Sequence, residues 1–255
     1  MEKNIILAGV GGQGILSIAF VIDNAALDAG FQFKQAEVHG MAQRGGAVQS
    51  HLRYSDGPIY SDLIPTGRAD MVLSIEPLEV MRYWHYLSPD GWVVTSVTPY
   101  VNIPDYPDID DLVDDLAGFK QLIMVDSGLV AKAAGNLRAQ NMAVVGAASS
   151  QLDFTEEALL RFVEMLFQRK GQKIVDVNIR AFRFGRAAGL FFRAVVDGGV
   201  PAATAIRLCQ KIEPETIDPE LAAAWSEAFT ADPASLEGVL GASGTVPCGH
   251  VAATA

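Results

Sequence analysis

The first apolar run, Asn4-Ile5-Ile6-Leu7-Ala8, is short, continuous and stopped by glycine, which is the pattern of a strand buried on both faces. From Ile15 the apolar residues recur at helical spacing (Ile15, Leu16, Ala19, Phe20, Ile22, Ala26, Leu27) until Gly30, so the spacing predicts a helix over 15–29. Further strands are predicted at 31–38, at the alternating stretch 47–54, and at the apolar runs 71–75, 92–96 and 121–125. Pro77 suits the first turn of a helix, and helical spacing returns at 127–134, 139–150 and 155–169, then over most of 173–228. Residues 98–109 contain three prolines and read as an irregular crossing loop.

Strands alternating with helices predict an α/β fold with a doubly wound, mostly parallel sheet and a helical C-terminal extension. The expected division is an α/β domain over 1–170, the helical extension over 171–232, and a flexible tail over 233–255, where Gly, Ser, Ala and Thr dominate. The ligand crevice of such a sheet lies at the carboxyl ends of its strands. Two glycine-rich segments, 9–14 and 39–46, follow predicted strands and should therefore lie near it.

Composition narrows the functions open to this fold. The formal charge is −11 with scattered basic residues, which disfavours binding to nucleic acid or to an anionic membrane. No apolar stretch is long enough to span a bilayer and no secretory signal precedes the first strand, so a cytoplasmic location is expected. Two cysteines, Cys209 and Cys248, and four histidines without ligand spacing supply neither an iron–sulfur nor a metal motif.

Gly9, Gly11 and Gly14 match G-x-G-x-x-G between strand and helix. In that pattern the first glycine permits the tight turn, the second lets a ligand approach the backbone, and the third lets helix and strand pack closely. The helix N-terminus then offers unpaired N–H groups to an anion. Gly12 belongs to the same turn, and Gln13 adds a polar group that a dinucleotide site does not require. Glu37 stands where a ribose contact would be, so a stand-alone NAD(P)-binding oxidoreductase is one reading, and a noncatalytic module for coenzyme A or another nucleotide is a second.

The second segment, Glu37-Val38-His39-Gly40-Met41-Ala42-Gln43-Arg44-Gly45-Gly46, is rich in side chains that a linker does not need. Arg44 beside Gly45 and Gly46 suits a carboxylate or phosphate, because the guanidinium fork can pair with it while the glycines open the backbone. Gln43 adds a neutral donor and acceptor, Met41 offers an adaptable apolar surface, and His39 reads as a cap on the strand end. Downstream, Phe182, Phe184, Phe191 and Phe192 alternate with Arg180, Arg183, Arg186 and Arg193. This reads as a helix with one packed face, whose arginines can meet acidic groups of a partner. Trp84-His85-Tyr86 reads as packing at a helix end, and the Asp108–Asp115 carboxylates as a solvated helix start.

The two glycine segments together resemble the gamma-type domain of the pyruvate/2-oxoacid:ferredoxin oxidoreductase superfamily. The fuller form of the second is similar to the beta subunits of the indolepyruvate (arylpyruvate) branch, as are Asn178-Ile179-Arg180-Ala181-Phe182 and Gly185-Arg186-Ala187. The resemblance implies a subunit that bears no cofactor itself. The reaction it implies is oxidative decarboxylation of an aryl 2-oxoacid to an acyl-CoA, with electrons passed to ferredoxin and coenzyme A as co-substrate. Thiamine diphosphate, magnesium and 4Fe-4S clusters would belong to a larger alpha subunit, without which this chain would be inactive. The residues agree in one respect: no Gly-Asp-Gly and no Asn-Asn pair is present to hold a metal-bound diphosphate. Gly9, Gly11, Gly12, Gln13, Gly14, Met41, Gln43, Arg44, Gly45 and Gly46 are the expected anion-binding or partner-facing residues, and no catalytic residue is expected on this chain.

Overall fold

The chain begins with strand β1 (Glu2–Val10), whose residues from Ile5 to Val10 are buried. Helix α1 (Ile15–Asp28), strands β2 (Gln32–Val38), β3 (Ala47–Ser55) and β4 (Ala69–Ser74), helix α2 (Pro77–Tyr83) and strand β5 (Leu87–Ser96) follow. Next come α3 (Ile109–Leu116), β6 (Leu122–Val125), α4 (Ser127–Ala134), α5 (Gln140–Ala148), α6 (Glu156–Phe167) and the 26-residue α7 (Gln172–Asp197). Three shorter helices, α8 (Ala202–Cys209), α9 (Ala222–Ala231) and α10 (Glu237–Leu240), complete the order. The structure is a computed structural model and describes residues 1–38 and 45–251.

All six predicted strands form one sheet, in the order β2-β3-β1-β4-β5-β6. The run β1-β4-β5-β6 is parallel, whereas β3 is antiparallel to both β1 and β2, so the sheet is mixed. Successive residues of β1 point to opposite faces. Ile5 and Leu7, with Met71 and Leu73 beside them, join the large core that also holds the buried faces of α1, α5, α6 and α7. Ile6 and Val72 belong to a smaller cluster closed by Ile64, with Tyr83 and Tyr86 packed on it. The strand expected over 92–96 starts earlier than its apolar run, so that Pro89-Asp90-Gly91 lies inside β5. Ala69 pairs with Leu87 and Met71 with Trp92, so the extra residues bulge out.

Helix α5 is buried all round from Asn141 to Ala148, which marks it as a central helix rather than an amphipathic cover. It crosses α7 at a backbone contact. A Cβ built on Gly146 would lie 1.9 Å from the Phe182 carbonyl oxygen, and one on Gly185 would lie 2.0 Å from that of Ala143.

Two expectations change here, at the C-terminal segment and at Trp84. The segment from Pro233 was expected to be a flexible tail, but through Val251 it packs on the helical end. Leu236, Val239, Cys248 and Val251 are buried, Val246 bridges Ile212, and the Trp225 indole N–H donates to the Cys248 carbonyl at 2.9 Å. Burial of these scattered apolar residues outweighs the small-residue composition that suggested mobility; residues 252–255 lie outside the described part. The arginines of α7 are engaged within the chain: Arg183 and Arg186 face Glu156 at 3.5 and 3.2 Å, Arg193 pairs with Asp197, and Arg180 caps the Ala134 carbonyl that ends α4. Trp84, at the end of α2, is 53% exposed, while Tyr86 two residues on packs against the sheet. The Asp run does begin a helix: the Asp108 carboxylate accepts the Asp110 N–H of α3 at 2.8 Å, and Arg207 approaches Asp114 at 3.2 Å.

Asp23 of α1 is 5% exposed, and its Oδ1 has no hydrogen-bond partner. Burial, assisted by the Glu37 charge, raises its carboxyl from 3.8 to about 7. The folded state therefore keeps a proton that the unfolded state has lost, and stability should fall as pH rises from about 4 to about 7. Asp23→Asn should be increasingly more stable than the natural chain over that interval, with the gap levelling off above it. Urea midpoints at pH 4.5, 6 and 8 check this; a gap that stays constant with pH would contradict it.

Candidate functional site

The turn after β1 is built from its own polar atoms. The Gln13 N–H donates to the Val10 carbonyl at 3.0 Å, and the Val10 N–H donates to the Gln13 side-chain oxygen at 2.8 Å. Gln13 thus closes the turn with one end of its amide. Gly12 has φ 103° and Gly14 has φ 89°, a region costly to residues with a Cβ. The glycine roles differ from the expected assignment. Gly9 gives the close packing, since a Cβ there would lie 2.9 Å from Ile15 Cδ1. Gly14 caps α1 in the left-handed conformation and makes room for Asn141, whose Nδ2 would lie 2.6 Å from an added Cβ. Gly12 faces open space.

The second glycine segment meets the first. Gly11 N–H donates to the Gly46 carbonyl at 2.8 Å, and Gly45 N–H donates to that of Gly11 at 3.2 Å. Asn102, from the crossing loop, donates to the Gly45 carbonyl at 2.7 Å. Gly9, Gly11, Gly12, Gln13, Gly14, Gly45 and Gly46 therefore form one assembly at the carboxyl end of β1. His39, Met41, Gln43 and Arg44 lie outside the described residues.

A cleft of about 460 Å³ opens beside this assembly, lined by Gly12, Gln13 and Gly14 on one side. Ser17 of α1, Tyr100 of the crossing loop, and Asn136 and Arg138 ahead of α5 also border it. The far side is formed by Asn141 of α5, by Phe167 and Lys170, and by Asn178 of α7. Asn141 and Asn178 are about 95% buried, and each is tethered: Asn141 Oδ1 accepts the Met142 N–H, and Asn178 Nδ2 donates to the Ile174 carbonyl. Arg138 and Lys170 are exposed at the mouth. Among the described residues, the N–H groups of Gly12, Gly14, Ile15 and Leu16 make no hydrogen bond. Unpaired donors at a helix start, a favourable helix dipole and two flanking cations suit an anion such as a phosphate.

Sequence reasoning found the glycines but not Tyr100, Asn102, Arg138, Asn141 or Lys170, which come from distant segments with no motif of their own. Asn178 did carry a signal, because it opens one of the segments singled out above. The topology also removes the dinucleotide contact. In a dinucleotide fold the acidic residue ends a strand adjacent to β1. Here β3 stands between β1 and β2, and Glu37 is on the edge strand, accepting from Gln35 at 2.9 Å.

A family model for pyruvate ferredoxin/flavodoxin oxidoreductase matches residues 4–188, which include the whole of this assembly and the cleft. The chain belongs to that family. Among relatives of known assignment, the indolepyruvate oxidoreductase subunit IorB of Thermococcus kodakarensis is 36% identical over 196 residues, covering 72% of this chain and 94% of that protein. The subunit of the same name from Methanothermobacter thermautotrophicus is 36% identical over 199 residues, covering 74% and 99%. Solved structures share the fold. The keto/oxoacid ferredoxin oxidoreductase gamma subunit of Geobacter sulfurreducens aligns with TM-score 0.58 at 23% identity, over 74% of this chain and 97% of that one. A 2-oxoglutarate:ferredoxin oxidoreductase from Magnetococcus marinus, solved with 2-oxoglutarate, coenzyme A and succinyl-CoA bound, aligns with TM-score 0.58 at 21% identity. That match covers 74% of this chain but 31% of the other, much longer one.

As a member of this family the chain is part of an oxidoreductase complex. Among the described residues, no three His, Cys, Asp or Glu side chains gather where a metal ion could be held, and no helix is long and apolar enough to cross a membrane.

Proposed function

We propose that this chain is the small subunit of an indolepyruvate-type 2-oxoacid:ferredoxin oxidoreductase, and that its cleft receives the phosphates of coenzyme A. The observation that carries this reading is the set of N–H groups at Gly12, Gly14, Ile15 and Leu16 that find no partner among the described residues, at a turn whose Gly12 and Gly14 line a cleft flanked by Arg138 and Lys170. Backbone donors fixed by the turn need no reorganisation when an anion arrives, and the N-terminus of a 14-residue helix adds a favourable field. The two buried asparagines offer neutral groups to the less charged part of the ligand. Arg44 and Gln43 are proposed to reach the same ligand from the second loop, with Met41 toward the partner.

The residues present fit coenzyme A by their chemistry, and none fits thiamine diphosphate or an iron–sulfur cluster. Those groups, with magnesium, are assigned to a larger partner subunit, which decarboxylates the aryl 2-oxoacid and passes electrons to ferredoxin in the cytoplasm. This chain contributes binding and orientation of the acyl acceptor, so alone it turns nothing over.

Co-expression with the larger subunit tests the proposal. The complex should oxidise arylpyruvates in a coenzyme A-dependent reaction, and the isolated chain should not. Arg44→Ala in the complex should slow acyl transfer to coenzyme A at least tenfold, while the coenzyme A-independent half-reaction changes little. Turnover by the isolated chain would refute the subunit reading. Equal loss of both half-reactions would place Arg44 in assembly instead.

A further inference from the structure

Glu76 lies at the carboxyl end of β4, one strand away from the glycine turn, and is 1% exposed. A carboxylate so deeply buried is disfavoured unless hydrogen bonds replace water. Among the described residues no cation pairs with it; its partners are neutral donors. The Glu79 N–H of α2 donates to it at 3.0 Å, the Tyr100 N–H at 3.4 Å, and the Tyr106 hydroxyl closely. Burial pushes the carboxyl up from its ordinary value, and these hydrogen bonds pull it back, Tyr106 most.

Two of the three donors come from the crossing loop. Residues 98–107 form no strand or helix, and among the described residues each of their hydrogen bonds to a neighbouring segment involves a side chain on at least one side. Thr98 bonds Asp126 at 2.9 Å, Asn102 bonds the Gly45 carbonyl, and Tyr100 and Tyr106 converge on Glu76. Tyr100 is also a wall of the cleft. Through Asn102, the same loop fixes the Gly45–Gly11 contact that joins the two glycine segments.

We propose that Glu76 is a positioning residue for the cleft: with Tyr106 it holds the crossing loop so that Tyr100 forms the cleft wall and Asn102 locks the second glycine segment onto the first. The proposal rests on the reading of the cleft as the coenzyme A site. Glu76 touches no ligand; its effect is on affinity, through the geometry of the loop. A charged acceptor is the stronger anchor for a loop without regular structure, because hydrogen bonds to an ionised group exceed neutral ones.

The test uses the assembled complex, with coenzyme A affinity measured by calorimetry and loop order by amide hydrogen exchange. Tyr106→Phe removes one hydroxyl and no volume from the apolar part of the ring. It should weaken coenzyme A binding about fivefold to tenfold, the scale of one ordinary hydrogen bond, because the lost bond acts on affinity only through the loop. It should also speed exchange at Tyr100, with the KM for the 2-oxoacid within about twofold of its original value. Glu76→Ala should do more, and Glu76→Gln, which keeps a carbonyl acceptor, should recover most of the affinity. Arg138→Ala serves as the reference variant at the cleft itself. If Arg138→Ala weakens binding and Tyr106→Phe changes neither affinity nor exchange, the positioning role is overturned and the coenzyme A reading stands. If neither variant weakens binding, the coenzyme A reading falls, and this proposal with it.

Discussion

Gly146→Ala and Gly185→Ala should each destabilise the chain by about 3 kcal/mol or more, the upper part of the range for overpacking a tight interior contact. The reason is that the obstruction is backbone. A methyl on Gly146 would lie 1.9 Å from the Phe182 carbonyl oxygen and 2.9 Å from the Arg186 nitrogen. A methyl on Gly185 would lie 2.0 Å from the Ala143 oxygen and 2.8 Å from its Cα. No rotamer change relieves such contacts, so α5 and α7 must separate, and both are packed into the main core. The two sites share one crossing, so the double variant should cost clearly less than the sum of the single ones. Gly238→Ala, at an exposed position of α10 with no atom near the new methyl, should be neutral or stabilising by up to about 1 kcal/mol. Urea unfolding of the four variants checks the set; Gly146→Ala behaving like Gly238→Ala would contradict the packing argument. The change should also reach the cleft, because α5 carries Asn141 and α7 carries Asn178.

Gly14→Ala should weaken coenzyme A binding by the complex at least tenfold. Two costs fall on the same residue. At φ 89° an alanine is strained by about 1–2 kcal/mol, and its methyl would lie 2.6 Å from Asn141 Nδ2. Asn141 is tethered through Met142, so the turn must shift instead, carrying with it the unpaired N–H groups of the α1 start. Gly30→Ala separates strain from site. It has φ 85°, open space around the added methyl, and a place at the opposite end of α1. Its stability loss should be of the same order as the strain in Gly14→Ala, with coenzyme A affinity unchanged. Equal affinity of the two variants, measured by calorimetry, would refute the role given to the turn.

The legible and illegible parts of this fold divide by the range of the forces that set them. The buried strands could be read because a strand covered on both faces must be continuously apolar, and Ile5–Leu7 and Val93–Val94 are. Helix α1 could be read from its spacing and from Gly30. The segment after Pro233 was misread because composition reports local chain freedom, whereas Trp225 and the bridge from Ile212 to Val246 are long-range contacts. The pairing of the α7 arginines with Glu156 was not legible for a related reason, since Glu156 lies on a different helix. At the site, the glycines were visible because a positive φ restricts residue type. Tyr100, Arg138, Asn141 and Lys170 were not, because each is an ordinary residue locally and gains meaning only from what faces it.

By itself, the sequence determined the alternation of strands and helices and the tight turn after β1, which follow from local rules of burial, φ and spacing. It also carried, in its two glycine segments, the resemblance to the family. Only the tertiary structure decided that β3 stands between β1 and β2, so that Glu37 is carried to the sheet edge. It also decided that the two glycine segments close on each other, and that α5 and α7 bring Asn141 and Asn178 to the mouth of α1. Strand order and helix crossing are set by contacts between residues far apart in the chain, and a pattern that repeats every two or every 3.6 residues carries no record of them.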